Sequence, residues 1–170
     1  FSLVELLEAS ITSHFSTSEN ASQGTIGKDF RVKYSLIAFS GVVSGKRAAK
    51  TRLTEEDLGL LDEAMKYAIP NLATRSKIGQ YPRMYMRVEY KDSETILGDF
   101  RDFIKLEEKE TSVRDINECA LVIDNLFMLL KANKEKINSI NYFVDKNLEI
   151  ILNGNRVSLE EAFADLPIKL

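Results

Sequence analysis

The residues best suited to chemistry lie in one stretch, Thr74-Arg75-Ser76-Lys77-Ile78-Gly79-Gln80-Tyr81-Pro82-Arg83. It offers three cations, the hydroxyls of Thr74 and Ser76 and the amide of Gln80, with Ile78 its one aliphatic side chain. Cations and small hydrogen-bond donors on a loop with Gly and Pro can hold a phosphate backbone. The same composition also makes an ordinary solvated connection. A second cationic group, Lys46, Arg47 and Lys50, follows Ser44-Gly45. It lacks the glycine pair and the hydroxyl after lysine that a phosphate-binding loop needs, so that motif is rejected. Ordinary catalytic groups are scarce. Cys119, the one cysteine, sits in the apolar run Cys119-Ala120-Leu121-Val122-Ile123 and is expected to be a buried structural thiol. The one histidine, His14, has no histidine or cysteine near it, so neither a zinc cluster nor a Ser-His-Asp arrangement can be built on it. No metal and no cofactor is expected.

The central stretch must be held by the elements on either side of it. Before it, Thr54 precedes Glu55-Glu56-Asp57, a good N-cap followed by acids that favour a helix start. Leu58, Leu61, Ala64, Met65 and Ala68 then recur at helical spacing, which predicts a helix over 54–69 stopped by Pro70, its apolar stripe in the core. After it, Met84, Met86, Val88 and Tyr90 alternate with Tyr85, Arg87 and Glu89, which predicts a strand. Arg83, Tyr85 and Arg87 then share one face. Two arginines with an aromatic between them can grip phosphates and stack a base, and they can equally form a solvated sheet face.

Charge supports the first alternative in part. The chain of 170 residues has a net charge of −3, which argues against nucleic acid if spread evenly. It is not spread evenly. Lys28 to Arg52 holds seven cations against Asp29 alone, and Arg75 to Lys91 holds five against Glu89 alone. Acids concentrate in Glu55–Glu63 and Asp92–Glu118. A divided surface suits a polyanion or an oppositely charged copy of the same protein.

The remaining pattern favours one soluble domain, 1–170, with no membrane-span or signal pattern and a cysteine content that fits a reducing cytoplasm. Ser10 to Phe15 alternates weakly, 16–27 is polar and small, and Phe30 to Val43 regains strand character, so 11–33 can form a long hairpin. Farther on, 105–114 reads as a loop and Cys119–Ile123 as a strand. Asp124 caps a helix to about Ile137. Ile140–Val144 and Leu148–Leu152 read as paired strands, Asn153-Gly154 as a turn, and Ser158-Leu159-Glu160-Glu161 as a capping box for a last helix. The order implies an α+β fold: a ferredoxin-like, RNA-recognition-motif-like antiparallel sheet with helices on one face and a protruding hairpin.

Several runs resemble a known family. Gly24-Thr25-Ile26-Gly27-Lys28-Asp29-Phe30-Arg31-Val32-Lys33-Tyr34, Gly41-Val42-Val43, Ala48-Ala49-Lys50-Thr51 leading into Leu53-Thr54-Glu55-Glu56-Asp57, the central stretch, Val88-Glu89-Tyr90 and Ile96-Leu97-Gly98-Asp99-Phe100 are similar, in that order, to the CRISPR-associated Cas-seven family, the Cascade backbone subunit. The type I-B form is the nearest likeness and the type I-C form the next. The resemblance covers roughly residues 1–144, and family members are considerably longer. It implies that Phe1 falls in mid-domain, with the first palm strand and much of the fingers outside this chain.

The resemblance further implies a cytoplasmic, non-catalytic subunit of antiviral defence. It would stack with copies of itself along a CRISPR guide RNA, alongside other Cascade subunits, and meet target DNA through the guide. Arg75, Lys77 and Arg83 would be phosphate contacts by the palm, with Ser76 and Gln80 beside them. Lys46, Arg47 and Lys50 would form a second set. The thumb hairpin, about 11–33, would bring Lys28 and Arg31 to the backbone and wedge Ile26 and Phe30 against bases. Related type III proteins cut target RNA with a thumb-region acid. In a type I-like member Asp29 is expected only to balance neighbouring cations. The alternative is a ferredoxin-like endoribonuclease that processes guide RNA with His14 as general base.

Overall fold

The computed structural model describes residues 6–13, 25–74, 77–110 and 113–169. Among the described residues, four α-helices and nine strands make an α+β fold in three separate sheets. Strands β1 (Leu6–Ser13) and β2 (Thr25–Val32) pair antiparallel with Ile11 opposite Gly27, β1 starting at Leu6, ahead of the hairpin expected over 11–33. The polar run 14–24, and His14 with it, lies outside the described residues.

After β2 the chain bends at Lys33 and runs to Ser44 without joining a sheet. The expected strand to Val43 is therefore corrected. Its alternation survives: Tyr34 and Leu36 turn toward the core while Ile37 and Phe39 are exposed, but no neighbouring strand pairs with it. The basic turn at 44–47 is the start of a short helix, α1 (Gly45–Thr51). Helix α2 (Glu55–Asn71) begins where the sequence places it. Thr54 Oγ1 accepts from the Asp57 backbone N–H, and the Asp57 carboxylate accepts from the Thr54 N–H at 2.8 Å, a reciprocal cap. Pro70 lies in its last turn, and the helix ends one residue later.

The core forms farther along the chain. β5 (Cys119–Val122), α3 (Asp124–Ala132), β6 (Ile137–Val144), β7 (Glu149–Leu152) and α4 (Leu159–Ala162) enclose Cys119, Ile123, Leu126, Leu130, Ile140 and Phe163, each without solvent exposure. Burying an aliphatic side chain of this size stabilises by about 1.5–3 kcal/mol. β3 (Met84–Tyr90) runs antiparallel to β6, and Met84, Met86, Val88 and Tyr90 pack on this core.

Several local expectations change. Residues 105–108 are a strand, β4 (Lys105–Glu108), because Leu106 can bury against β5 while Lys105 and Glu107 stay in solvent. Asp99 caps a 3-10 turn at Phe100–Phe103, its carboxylate accepting from the Arg101 N–H. The α3 N-cap is Ile123 rather than Asp124, whose carboxylate accepts from the Asn153 N–H at 2.6 Å. α3 stops at Ala132, and β6 begins at Ile137.

β6 and β7 do not pair. Both edges of β6 are taken, by β3 and by β9 (Ile168–Lys169), so β7 joins β5 in parallel and turns at Asn153-Gly154 into β8 (Asn155–Arg156). Asn153 and Gly154 both take positive φ, 52° and 74°, as a tight hairpin turn requires. Two of the three sheets combine one parallel pair with antiparallel ones, and the α+β arrangement is compatible with the expected ferredoxin-like core.

Candidate nucleic-acid interface

The central loop leaves α2 and enters β3. Its first half is a tight turn: the Lys77 and Ile78 N–H groups donate to the Thr74 carbonyl at 3.0 and 3.1 Å, and the Gln80 N–H donates to Lys77 at 3.1 Å. Gly79 sits at φ 86°, a conformation that favours glycine, and lets the chain reverse there. Lys77 at this turn is exposed, with no ion pair among the described residues, and Ile78 beside it is 76% exposed. Gln80 is also exposed. Arg75 and Ser76 lie outside the described residues.

The other end of the loop is clamped. The Arg83 guanidinium meets Asp145 Oδ1 at 3.1 Å, the Asp145 N–H donates to the Arg83 carbonyl at 2.8 Å, and the Tyr81 ring lies beneath the guanidinium at 5.6 Å. Arg83 thus ties the loop to the turn after β6. Its ion pair is partly shielded from water, so exchange of Asp145 for a phosphate is harder than at an exposed pair.

The shared face of Tyr85 and Arg87 is real but closed. Arg87 donates to both oxygens of Asp62 on α2, Tyr85 donates its hydroxyl to Asp62 Oδ1 at 2.6 Å, and Glu89 lies 3.6 Å from Arg87. The arginine bond lowers the Asp62 pKa, and burial with the Asp62 bond pushes Tyr85 up to about 12. Both the phosphate-gripping and the solvated readings of this face are corrected. It is the joint between helix and sheet, and a phosphate would have to displace a bidentate carboxylate.

The second cationic set lies on α1. Lys46 is paired with Glu94, whereas Arg47 and Lys50 are exposed with no ion pair among the described residues. On β2, Lys28 meets Glu8 at 2.7 Å. Glu8 stands directly opposite Phe30, one diagonal step from Lys28, a geometry that brings long side chains together. Phe30 is 62% exposed, as a base-wedging residue would need to be. Ile26 and Arg31 take register positions opposite Thr12 and Leu7 on the same hairpin, and Asp29 pairs with Ala9.

Sequence reasoning missed the acids that partner these cations: Asp62, Glu94 and Asp145. None of the three carries a signal in the sequence, because their partners are brought near by folding alone. Cys119 is as expected: buried, its thiol pushed up by burial and held near the Ile116 carbonyl. Among the described residues no group of three or more His, Cys, Asp or Glu could hold a metal, and no helix is long and apolar enough to cross a membrane.

The family model for CRISPR-associated protein Cas7 matches residues 2–124, a span that takes in the hairpin, α1, α2, the central loop and β3. The chain belongs to the Cas7 family. A CRISPR-associated protein Cas7 from Haloferax volcanii is 30% identical over 160 residues, which is 92% of this chain and 47% of the relative. The chain therefore spans about half the length of that Cas7 protein. The Cas7 match ends just as α3 begins, so every cation considered above lies within it while α3, β6, β7 and α4 lie almost wholly beyond it.

Proposed function

We propose that this Cas7 chain is a non-catalytic, guide-RNA-binding part of the backbone of a type I, I-B-like Cascade complex. In this reading it stacks with its own kind and with other Cascade subunits along the RNA and offers the guide to target DNA in the cytoplasm. The observation that carries the proposal is the family match across a loop whose Lys77 is exposed and whose far end is anchored.

Each part of the site has a share in this reading. Lys77 and Arg75, with Ser76 and Gln80, contact phosphates at the loop turn. Arg47 and Lys50 extend the track. Lys46 and Lys28 exchange their exposed carboxylate partners for phosphate at small cost, since exposed pairs contribute about 0–1 kcal/mol. Arg83 holds the loop in place and lends its field. The hairpin lies over the strand and sets Phe30 and Ile26 against bases, in the manner that aromatic and apolar groups support an unstacked base. Sequence is then selected by base pairing, while the protein holds backbone shape.

The test is purification of the protein from its source cells, extraction of bound nucleic acid and sequencing. Short repeat-spacer RNA is the expected cargo. Recovery of unrelated RNA in proportion to its abundance, or of none, would overturn the assignment.

A further inference from the structure

The turn between β7 and β8 holds the chain's one Asn-Gly pair, Asn153-Gly154. Both residues are exposed. The backbone around them is held from outside: the Asn153 N–H donates to Asp124 Oδ1 at 2.6 Å, and Asn155 Nδ2 donates to the Asn153 carbonyl at 3.1 Å. Among the described residues, the Asn153 side-chain amide and the Gly154 N–H make no hydrogen bond. A Cβ built on Gly154 would meet nothing within 4 Å, so nothing crowds the approach to its nitrogen. The bond from Asn155 draws electron density out of the Asn153–Gly154 peptide and makes the Gly154 N–H more acidic. A free side-chain amide carbon and an unhindered, acidified peptide nitrogen are therefore neighbours in one residue pair.

We infer that Asn153 is a site of spontaneous modification, converted in the folded protein to aspartate and isoaspartate. The Gly154 nitrogen gives up its proton to solvent and attacks Asn153 Cγ. The side-chain nitrogen takes a proton and leaves as ammonia, and a cyclic succinimide remains. Water then adds to one ring carbonyl. Breaking the Cγ–N bond gives aspartate. Breaking the bond from the main-chain carbonyl carbon to that nitrogen gives isoaspartate, whose main chain runs through one extra methylene. Ring closure requires the tight turn to open, and β8 is an arm of two residues with two register pairs, so the opening is local. Asn138-Ser139 lacks these conditions: the Asn138 amide donates to Glu89, and Ser139 is 1% exposed within β6. Either product puts a second carboxylate beside Asp124, the first residue of α3, and isoaspartate also shifts the Leu152–Asn155 register. The inference is independent of RNA binding.

The test is incubation of the folded protein in mildly alkaline buffer, followed by peptide mapping by mass spectrometry. Conversion of amide to acid at position 153 should run at least about tenfold faster than at Asn138, because glycine leaves the attacking nitrogen open. Isoaspartate is read separately, by enzymatic transfer of a labelled methyl group from S-adenosylmethionine to isoaspartyl carboxylates. That labelling should grow with incubation time in the wild type and fall at least about fivefold in Asn153→Gly, whose Gly-Gly pair still suits the turn. A position 153 that is unmodified, or converts no faster than Asn138, would overturn the inference. So would undiminished labelling of Asn153→Gly, or conversion that occurs in denaturant alone, since the folded turn would then protect the pair.

Discussion

Arg87 binds Asp62 through two parallel bonds of 2.7 Å, Nε to Oδ1 and Nη2 to Oδ2, and this fork fixes α2 on the sheet. Both side chains are partly shielded, at 18% and 24% exposure, so the bond is worth more than a surface pair. Asp62→Ala should destabilise the protein by about 1–3 kcal/mol. Arg87→Ala should cost about as much, and the double variant less than the sum of the two. Urea unfolding of the four proteins checks this. Additive losses would mean that the pair is not coupled.

The same carboxylate sets an acid limit. Asp62 titrates below its ordinary 3.8 in the folded protein, chiefly through its bond from Arg87. A depressed folded pKa adds stability that is fully present above the unfolded value and is lost as pH falls through the folded one. The wild-type advantage over Asp62→Asn should be constant from neutral pH to about pH 5 and shrink below about 3.8. Urea midpoints for both proteins across that range give the measurement. A gap that widens with acid would contradict the sign.

Loop cations and the anchoring cation should behave differently. Arg75→Glu with Lys77→Glu should cut guide-RNA affinity by about tenfold or more and flatten its salt dependence by about 0.7 in log–log slope for each phosphate no longer neutralised. Folding stability should stay within about 0.5 kcal/mol, as for other surface changes. Arg83→Ala should instead lower stability by about 1 kcal/mol or more, because Asp145 is left without its partner. Filter binding at several salt concentrations, with thermal melts alongside, separates the two roles. Unaltered RNA binding in the loop double variant would remove this loop from the interface.

Cys119 should resist modification. It has no exposed surface, and burial raises its pKa. Its reaction with a thiol reagent should be at least about a hundredfold slower in native buffer than in denaturant, since access requires opening of a core whose stability is of order 5 kcal/mol or more. Rapid native labelling would show that β5 opens locally.

Features governed by neighbours in sequence were legible from the sequence. The Thr54–Asp57 and Ser158–Glu161 caps, the alternation of β3 and the Asn153-Gly154 turn each depend on residues within a few positions, and each stands where expected. Features decided by long-range competition were not. β7 leaves β6 because β9, the last strand among the described residues, occupies that edge. The periodicity of α2 identifies an apolar flank but not whether anything covers it, and here no residue of the helix is buried. At the site, the residue types of the cations were plain, but which of them is neutralised depends on Asp62, Glu94 and Asp145, which folding alone brings near.

The Arg83–Asp145 clamp gives the surface a latent charge. A change as small as Asp145→Asn, 62 positions from the arginine it would release, adds one positive charge beside the loop without altering any residue of the loop itself. If the proposed RNA-binding role holds, drift at the turn after β6 would retune the attraction for polyanions in general, through an acid that lies outside the loop.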